Sequence, residues 1–297
     1  MKLSKLYGFG AVIVLASLVL YACSKNDNPE QQALPPGSQQ LSLYLTDDPG
    51  FFDKVMVDIR SVKVLIDTCS KDNRGDDDDD DDDDGRGNHD WDDDRNDCAN
   101  WQSLDITPGV YDLLTLRNGT DTLLANGIIP KGKVRRIRIE LGENNSLVKD
   151  SSTYPLKLWP GISSTILISV KGGDWDEYLP DRFRLWLDFD VTRSVVRVRD
   201  GLFYLKPIIH LFTVKSTGSV AGRIGPKDAW PVISVYNGSD TAYAIPWHSG
   251  QWKARGLQQG TYTVFVNASN GYQDTTITGV EVKAGKETNV DMILLHK

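Results

Sequence analysis

The sequence runs to 297 residues, 40% of them apolar, which is enough for real cores and more than a single typical domain requires. Its formal charge of −8 is concentrated: Asp72 to Asp97 holds 15 Asp against three Arg, and the rest of the chain is net +4. No basic patch is dense enough to neutralise a run of phosphates, so a nucleic-acid partner is excluded.

Lys2 and Lys5 precede an uncharged stretch from Leu6 to Leu20, the basic and apolar regions of a secretory signal. Fifteen such residues make only ~22 Å of helix, short of the roughly 20 residues that span a bilayer, so cleavage after residue 22 is expected. Leu20-Tyr21-Ala22-Cys23 resembles the lipobox of bacterial lipoproteins, although Tyr21 is bulkier than that pattern prefers. The resemblance implies acyl chains such as palmitate on Cys23 and an outer-membrane location, at the cell surface or the periplasmic face. Two or more chains would hold the protein stably on the membrane. Residues 23–39 have no apolar period and are rich in Pro, Gln and Ser, a tether without a fold of its own. Cys69 and Cys98 remain as an even pair in an oxidising compartment and are expected to form a disulfide.

Further along, Leu41, Leu43 and Leu45 alternate with Ser42 and Tyr44, the pattern of a half-buried strand. Val55, Val57 and Ile59 are apolar at odd positions, whereas Val62, Val64 and Ile66 are apolar at even ones. A strand cannot change faces without an extra residue, so a β-bulge near Arg60 and Ser61, or two strands meeting there, is predicted. Residues 70–97 then contain nine consecutive aspartates, Asp76 to Asp84, and almost no apolar side chains. No core can form there, and a Cys69–Cys98 bond would isolate the insertion from the sheet.

Regular alternation resumes after Trp101. Val110 to Leu116, the pair Asn118-Gly119 and Thr122 to Leu124 predict a hairpin with a type I′ turn. Ile137 to Leu141, Tyr154 to Leu158, Ile166 to Val170 and Phe183 to Val191 each alternate as strands with one wet face. Trp186 falls on the outward register of the last, which a covering second sheet would explain. Val195 to Arg199, Asp200-Gly201 and Leu202 to Lys206 predict a second hairpin, and Pro207 puts its end at an edge or bulge.

The blocks LYLTDDPGFFDKVMVDIRSVKV, WQSLDITPGVYDLLTLRNGTDTLLANGIIPKGKVRRIRIELGENNSL, TYPLKL, LDFDVTRSV and YLKPIIHLF, in this order, resemble the domain of unknown function 4382 family of bacterial lipoproteins over residues 40–214. That family implies no activity. A polar linker follows, and between residues 219 and 297 glycines punctuate strands of five to eight residues. Trp252 to Val264, with Gly271-Tyr272 and Val280 to Gly285, is similar to carboxypeptidase regulatory-like domains. The similarity implies a small prealbumin-like sandwich of the carbohydrate-binding-like class, usually without catalysis. The whole is expected to be all-β, a larger sandwich-like domain followed by a smaller one.

Chemistry-bearing residues are sparse. Asp80, Asp82 and Asp84, with Asp92 beyond them, fit the first half of a Ca²⁺ loop, but Trp91 stands where a bidentate Glu is required. Nine successive carboxylates match such a pattern by accident, which leaves weak Ca²⁺ association or a plain solvated loop; no other cofactor is implied. Asp188 and Asp190 are a conceivable glycosidase-type pair, and His210 is most simply a strand residue. Trp252 and Tyr262 lie in the C-terminal motif and are expected in a core. Trp230, Tyr243 and above all Trp247, a loop residue between Pro246 and His248, are candidate stacking platforms for sugar rings. The expectation is a non-enzymatic, lipid-anchored envelope protein that binds a glycan or another envelope protein, with a glycan hydrolase as the alternative class.

Overall fold

A computed structural model describes residues 33–48, 50–69, 98–171 and 175–297. The segment Gly37–Lys297 is one compact unit, and its strands divide into two β-regions with separate apolar cores. The larger contains β1 (Ser38–Asp48), β2 (Lys54–Asp67), β3 (Ala99–Ser103), β4 (Asp105–Ile106), β5 (Gly109–Asp112), β6 (Thr122–Pro130), β7 (Lys133–Leu141), β8 (Ser146–Lys149), β9 (Ser152–Leu158), β10 (Thr165–Ser169), β11 (Asp176–Leu179), β12 (Arg182–Asp190), β13 (Val195–Arg199), β14 (Leu202–Leu205) and β15 (Ile209–Phe212). One sheet runs β11-β12-β1-β6-β4 with β15 beside β12; the other runs β10-β7-β2-β8-β9-β14-β13 with β3 and β5 also paired to β2. Leu41, Leu43, Leu185 and Leu187 from the first sheet share one core with Val55, Val57, Val64 and Ile137 from the second.

The phase change in β2 is a bulge within one continuous strand. Ile59 pairs with Leu141 and Ser61 with Glu140, which leaves Arg60 as the extra residue. Both apolar triplets of β2 thereby face the same core and are buried. The outward-facing Asp58, just before the bulge, is 0% exposed. Arg60 Nη2 donates to its Oδ2 at 2.7 Å, and the Asn144 N–H donates to the same atom at 3.2 Å.

Cys69 and Cys98 are bonded, with Cα atoms 5.4 Å apart. The bond sits just beyond the β2–β3 ladder, where Asp67 pairs with Ala99 and Thr68 N–H donates to Cys98 O. Cys69 and Cys98 therefore stand side by side at one end of an antiparallel pair.

The predicted hairpin around Asn118-Gly119 is not formed. Both residues have positive φ, 57° and 81°, as the turn requires, and Thr120 N–H closes it onto Arg117 O. The flanking strands part company, however: β5 joins β2 in one sheet while β6 joins β1 and β4 in the other. Between them Leu113 to Leu116 form a 3₁₀ turn capped by Asp112, and Leu113, Leu114 and Leu116 are buried. That spacing is not the alternation of a strand, and it carries the chain across the core. The second predicted hairpin is present as β13–β14.

The idea of one wet face also fails for β1 and β12, which pair in parallel at the centre of their sheet. Their outward side chains Tyr44 and Trp186 are in register with each other, and Trp186 with Phe212 of β15. The three rings stack, with centroids 5.2 and 6.1 Å apart, and Trp186 is only 7% exposed. What covers it is a strand of the smaller region.

That region contains β16 (Gly218–Gly225), β17 (Val232–Tyr236), β18 (Thr241–Ala244), β19 (Gln251–Leu257), β20 (Gly260–Asn267), β21 (Thr275–Val282), β22 (Glu287–Asn289) and β23 (Ile293–Leu294). One sheet is β19-β16-β22 with β23 on β16; the other is β18-β17-β20-β21. Val220, Ile233, Trp252, Tyr262 and Val264 form the core between them, so Trp252 and Tyr262 are core residues as expected.

Candidate binding groove at the seam of the two regions

The five residues from Arg117 to Asp121 fasten the regions together. The Asn118 side-chain amide donates to Ile245 O at 2.8 Å, and its Oδ1 accepts from the Lys253 N–H at 3.3 Å. Arg255 Nη1 donates to Gly119 O and to Asp121 Oδ2, both at 3.0 Å. Asp121 Oδ2 also accepts from Trp186 Nε1 at 2.9 Å. The Arg255 guanidinium lies 5.9 Å from the Trp186 ring and 5.6 Å from that of Phe212, capping the aromatic stack. The Arg117 guanidinium stands 4.5 Å over the ring of Trp247; burial pulls its pKa below the ordinary arginine value, and Asp47 and Asp112 partly oppose this.

Beside this joint is a groove of about 620 Å³. Its floor follows from strand alternation in β16. Val220 and Ile224 are buried in the core, so Ser219, Ala221 and Arg223 lie on the opposite face. Across the ladders Ala221 pairs with Lys253 and Asn289, and Arg223 with Gln251. Small side chains along the middle strand, flanked by long polar ones, make a trough. Lys253 Nζ and Glu287 Oε2 meet across it at 2.6 Å. That hydrogen bond holds the Glu287 carboxyl below its ordinary pKa against the opposing effect of desolvation.

Trp247 forms one wall. It opens a tight turn in which Gly250 N–H donates to Trp247 O and Trp247 N–H donates to Gln251 O. Gly250 has φ +79°, and a Cβ there would meet Ile224 O at 2.3 Å. Only glycine fits, so the ring is held by main-chain geometry. Asn118 lines the groove from the larger region, and Asn289, Asp291 and Met292 line it from the smaller. The lining offers an aromatic ring, one exposed thioether and many hydrogen-bonding side chains.

Of the three candidate platforms, Trp247 alone lines this groove. Tyr243 is half-buried on β18, opposite Ser234. Trp230 is 71% exposed with φ 44°, at the end of a 3₁₀ turn elsewhere in the smaller region. Asp190 is buried, caps the Val191–Ser194 helical turn by accepting from Arg193 N–H at 2.8 Å, and pairs with the Arg193 side chain. Arg193 Nη2 lies 2.7 Å from His210 Nε2, and burial followed by the arginine charge lowers the His210 pKa. Asp190 and His210 thus belong to a structural cap. Cys23 and Asp80, Asp82, Asp84 and Asp92 lie outside the described residues. Among the described residues no group of three His, Cys, Asp or Glu side chains is placed to hold a metal ion, and no helix is long and apolar enough to cross a membrane.

Comparison with solved structures finds likeness to a chain of a type II cohesin–X-dockerin complex from Acetivibrio cellulolyticus, 24% identical over 26% of this chain and 56% of that one, TM-score 0.22. This protein thus spans little more than half of that chain. The shaft pilin SpaA of Lactobacillus rhamnosus GG is 11% identical over 87% of this chain and 97% of its own, TM-score 0.22. The minor pilin GBS52 of Streptococcus agalactiae is 13% identical over 87% and 96%, TM-score 0.21. Scores of this size do not establish a shared overall fold. No curated protein matches. Residues 38–207 match the model of the domain of unknown function DUF4382, more than half of the sequence, and the chain belongs to that family.

Proposed function

We propose that this protein is a lipid-anchored, non-enzymatic binding protein of the cell envelope, and that its ligand is a glycan held in the groove between the two β-regions. The observation that carries the reading is the convergence of Trp247 with hydrogen-bonding side chains from both regions in one open trough. An indole presents a flat apolar face for a sugar ring, and amide, guanidinium and carboxylate groups suit the hydroxyls around it. The similarity of residues 219–297 to carboxypeptidase regulatory-like domains favours binding over catalysis. The conceivable catalytic pair argues the same way, since Asp190 is committed to the Arg193 cap. The anchor rests on Leu20-Tyr21-Ala22-Cys23 and the uncharged stretch before it.

The test is a glycan array probed with the full-length protein in detergent, beside Trp247→Ala. Binding that drops at least about tenfold in the variant, without release of cleaved sugar, is expected; tenfold corresponds to about 1.4 kcal/mol. Equal binding by the two proteins would remove the groove, and product formation would make the protein a hydrolase. Metabolic labelling with a palmitate analogue should mark the wild type and not Cys23→Ser.

A further inference from the structure

The trough does not stop at the Lys253–Glu287 pair. Beyond it lies a second compartment of about 200 Å³ that shares both residues and adds Ser219, Arg255, Gly256 and Lys286. Three cations and one carboxylate line it. Two of the cations are already neutralised, Lys253 by Glu287 and Arg255 by Asp121. Lys286 is not: among the described residues its side chain makes no ion pair or hydrogen bond. In the first compartment the same holds for Arg223, which is exposed at the far end of the β16 floor; the Asp291 carboxylate also lines that compartment, and the two form no ion pair with each other.

These two cations mark the ends of one surface. Ser219 pairs with Glu287, the neighbour of Lys286, and Arg223 lies four residues further along β16 on the same face. Lys286 precedes Glu287 and so stands level with Gly218, five residues from Arg223, which at roughly 3.3 Å per residue puts the two main-chain positions about 16 Å apart along the strand. A single small anion cannot bridge that distance, whereas charges repeated along a chain can. Between the two cations the floor is made of the small side chains of Ser219 and Ala221, with the polar Lys253 and Asn289 on either side of Ala221.

Given the glycan reading above, on which this step rests, we propose that the ligand is an anionic glycan carrying carboxylate or sulfate groups. Lys286 and Arg223 receive those groups, and Trp247 contacts the sugar ring near the Arg223 end. The cations supply charge selectivity, and the indole supplies affinity common to charged and neutral chains. Because both cations face solvent, the charge preference weakens as salt rises.

The experiment uses the full-length protein in detergent and an array in which each polyanionic glycan is paired with its neutral counterpart: uronate polymers with their methyl esters, and sulfated chains with the same chains after desulfation. The wild type should bind at least one charged member about fivefold or more tighter than its neutral partner, and the arm that shows this identifies the anion. In Arg223→Gln/Lys286→Gln the ratio should fall to near one; Trp247→Ala should weaken both members and leave the ratio standing. Equal binding to charged and neutral chains by the wild type would overturn the anionic assignment while leaving the glycan reading standing. So would a charge preference that survives the double substitution. Binding to no member of any pair would overturn the glycan reading, and the anionic assignment with it.

Discussion

Arg255 Nη1 and Asp121 Oδ2 lie 3.0 Å apart, and each comes from a different β-region. The guanidinium is only 16% exposed and also caps the Trp186–Phe212 stack. A charge-assisted bond with so little solvent contact is worth about 1.5–3 kcal/mol. Arg255→Ala and Asp121→Ala should each destabilise by about that amount in urea titrations, and their double-mutant cycle should show coupling of about 1 kcal/mol or more. Arg255→Lys should recover only part of this, since both bonds leave from the single Nη1 and an ammonium can imitate them, whereas the guanidinium's contact with the Trp186 and Phe212 rings is lost. A coupling near zero would mean the two regions dock without this pair.

Gly250 holds the Trp247 turn through its close approach to Ile224 O and its positive φ. Gly250→Ala must shift that backbone, at a cost of about 1–3 kcal/mol. The variant should show both a lower denaturation midpoint and a changed tryptophan emission. A variant as stable as wild type would show that the turn can move freely.

The Cys69–Cys98 bond closes a loop of sequence separation 29. Chain entropy puts its contribution at about 3–4 kcal/mol. Cys69→Ser/Cys98→Ser should lose that stability, and replacing residues 70–97 by a short turn in the same background should restore most of it. If shortening restores nothing, the bond acts through something other than loop closure.

Tyr262 is buried, and its hydroxyl donates to Asp240 Oδ2 at 2.7 Å and Gln258 O at 3.0 Å. Burial first, and the Asp240 carboxylate second, raise its pKa well above the ordinary tyrosine value. The unfolded chain ionises this phenol near pH 10 while the folded one still holds the proton. The stability contributed is therefore complete below about pH 10 and is lost as pH rises beyond it. Tyr262→Phe should flatten the alkaline limb of a stability–pH curve and cost about 1–2 kcal/mol at neutral pH. An unchanged alkaline slope would assign it to other groups.

Much of this architecture is legible in the residues. The shift from odd to even apolar positions across Arg60 calls for a bulge or a junction of two strands there, because side-chain alternation is a local property of the backbone, and the strand is continuous with a bulge. Trp252 and Tyr262 are expected in a core because they lie in the stretch similar to carboxypeptidase regulatory-like domains, and both are buried in the smaller core. Asn118-Gly119 misleads because its turn conformation is real, while strand pairing is decided by where Leu113, Leu114 and Leu116 are buried. The groove is the least legible part. Ser219-x-Ala221-x-Arg223 and Gln251-x-Lys253-x-Arg255 could be recognised as outward faces of strands. Their meeting with Asn118, more than 90 residues earlier in the sequence, depends on docking between two cores.

Both hydrogen bonds from the Asn118 side chain to the smaller region go to main-chain groups, a carbonyl at Ile245 and an N–H at Lys253. Such a contact is indifferent to which side chains those two positions carry. The smaller region can exchange its groove-lining residues over evolutionary time without renegotiating this part of its attachment. A joint of that kind separates the frame from the groove's lining: the asparagine turn can stay as it is while the side chains around it change.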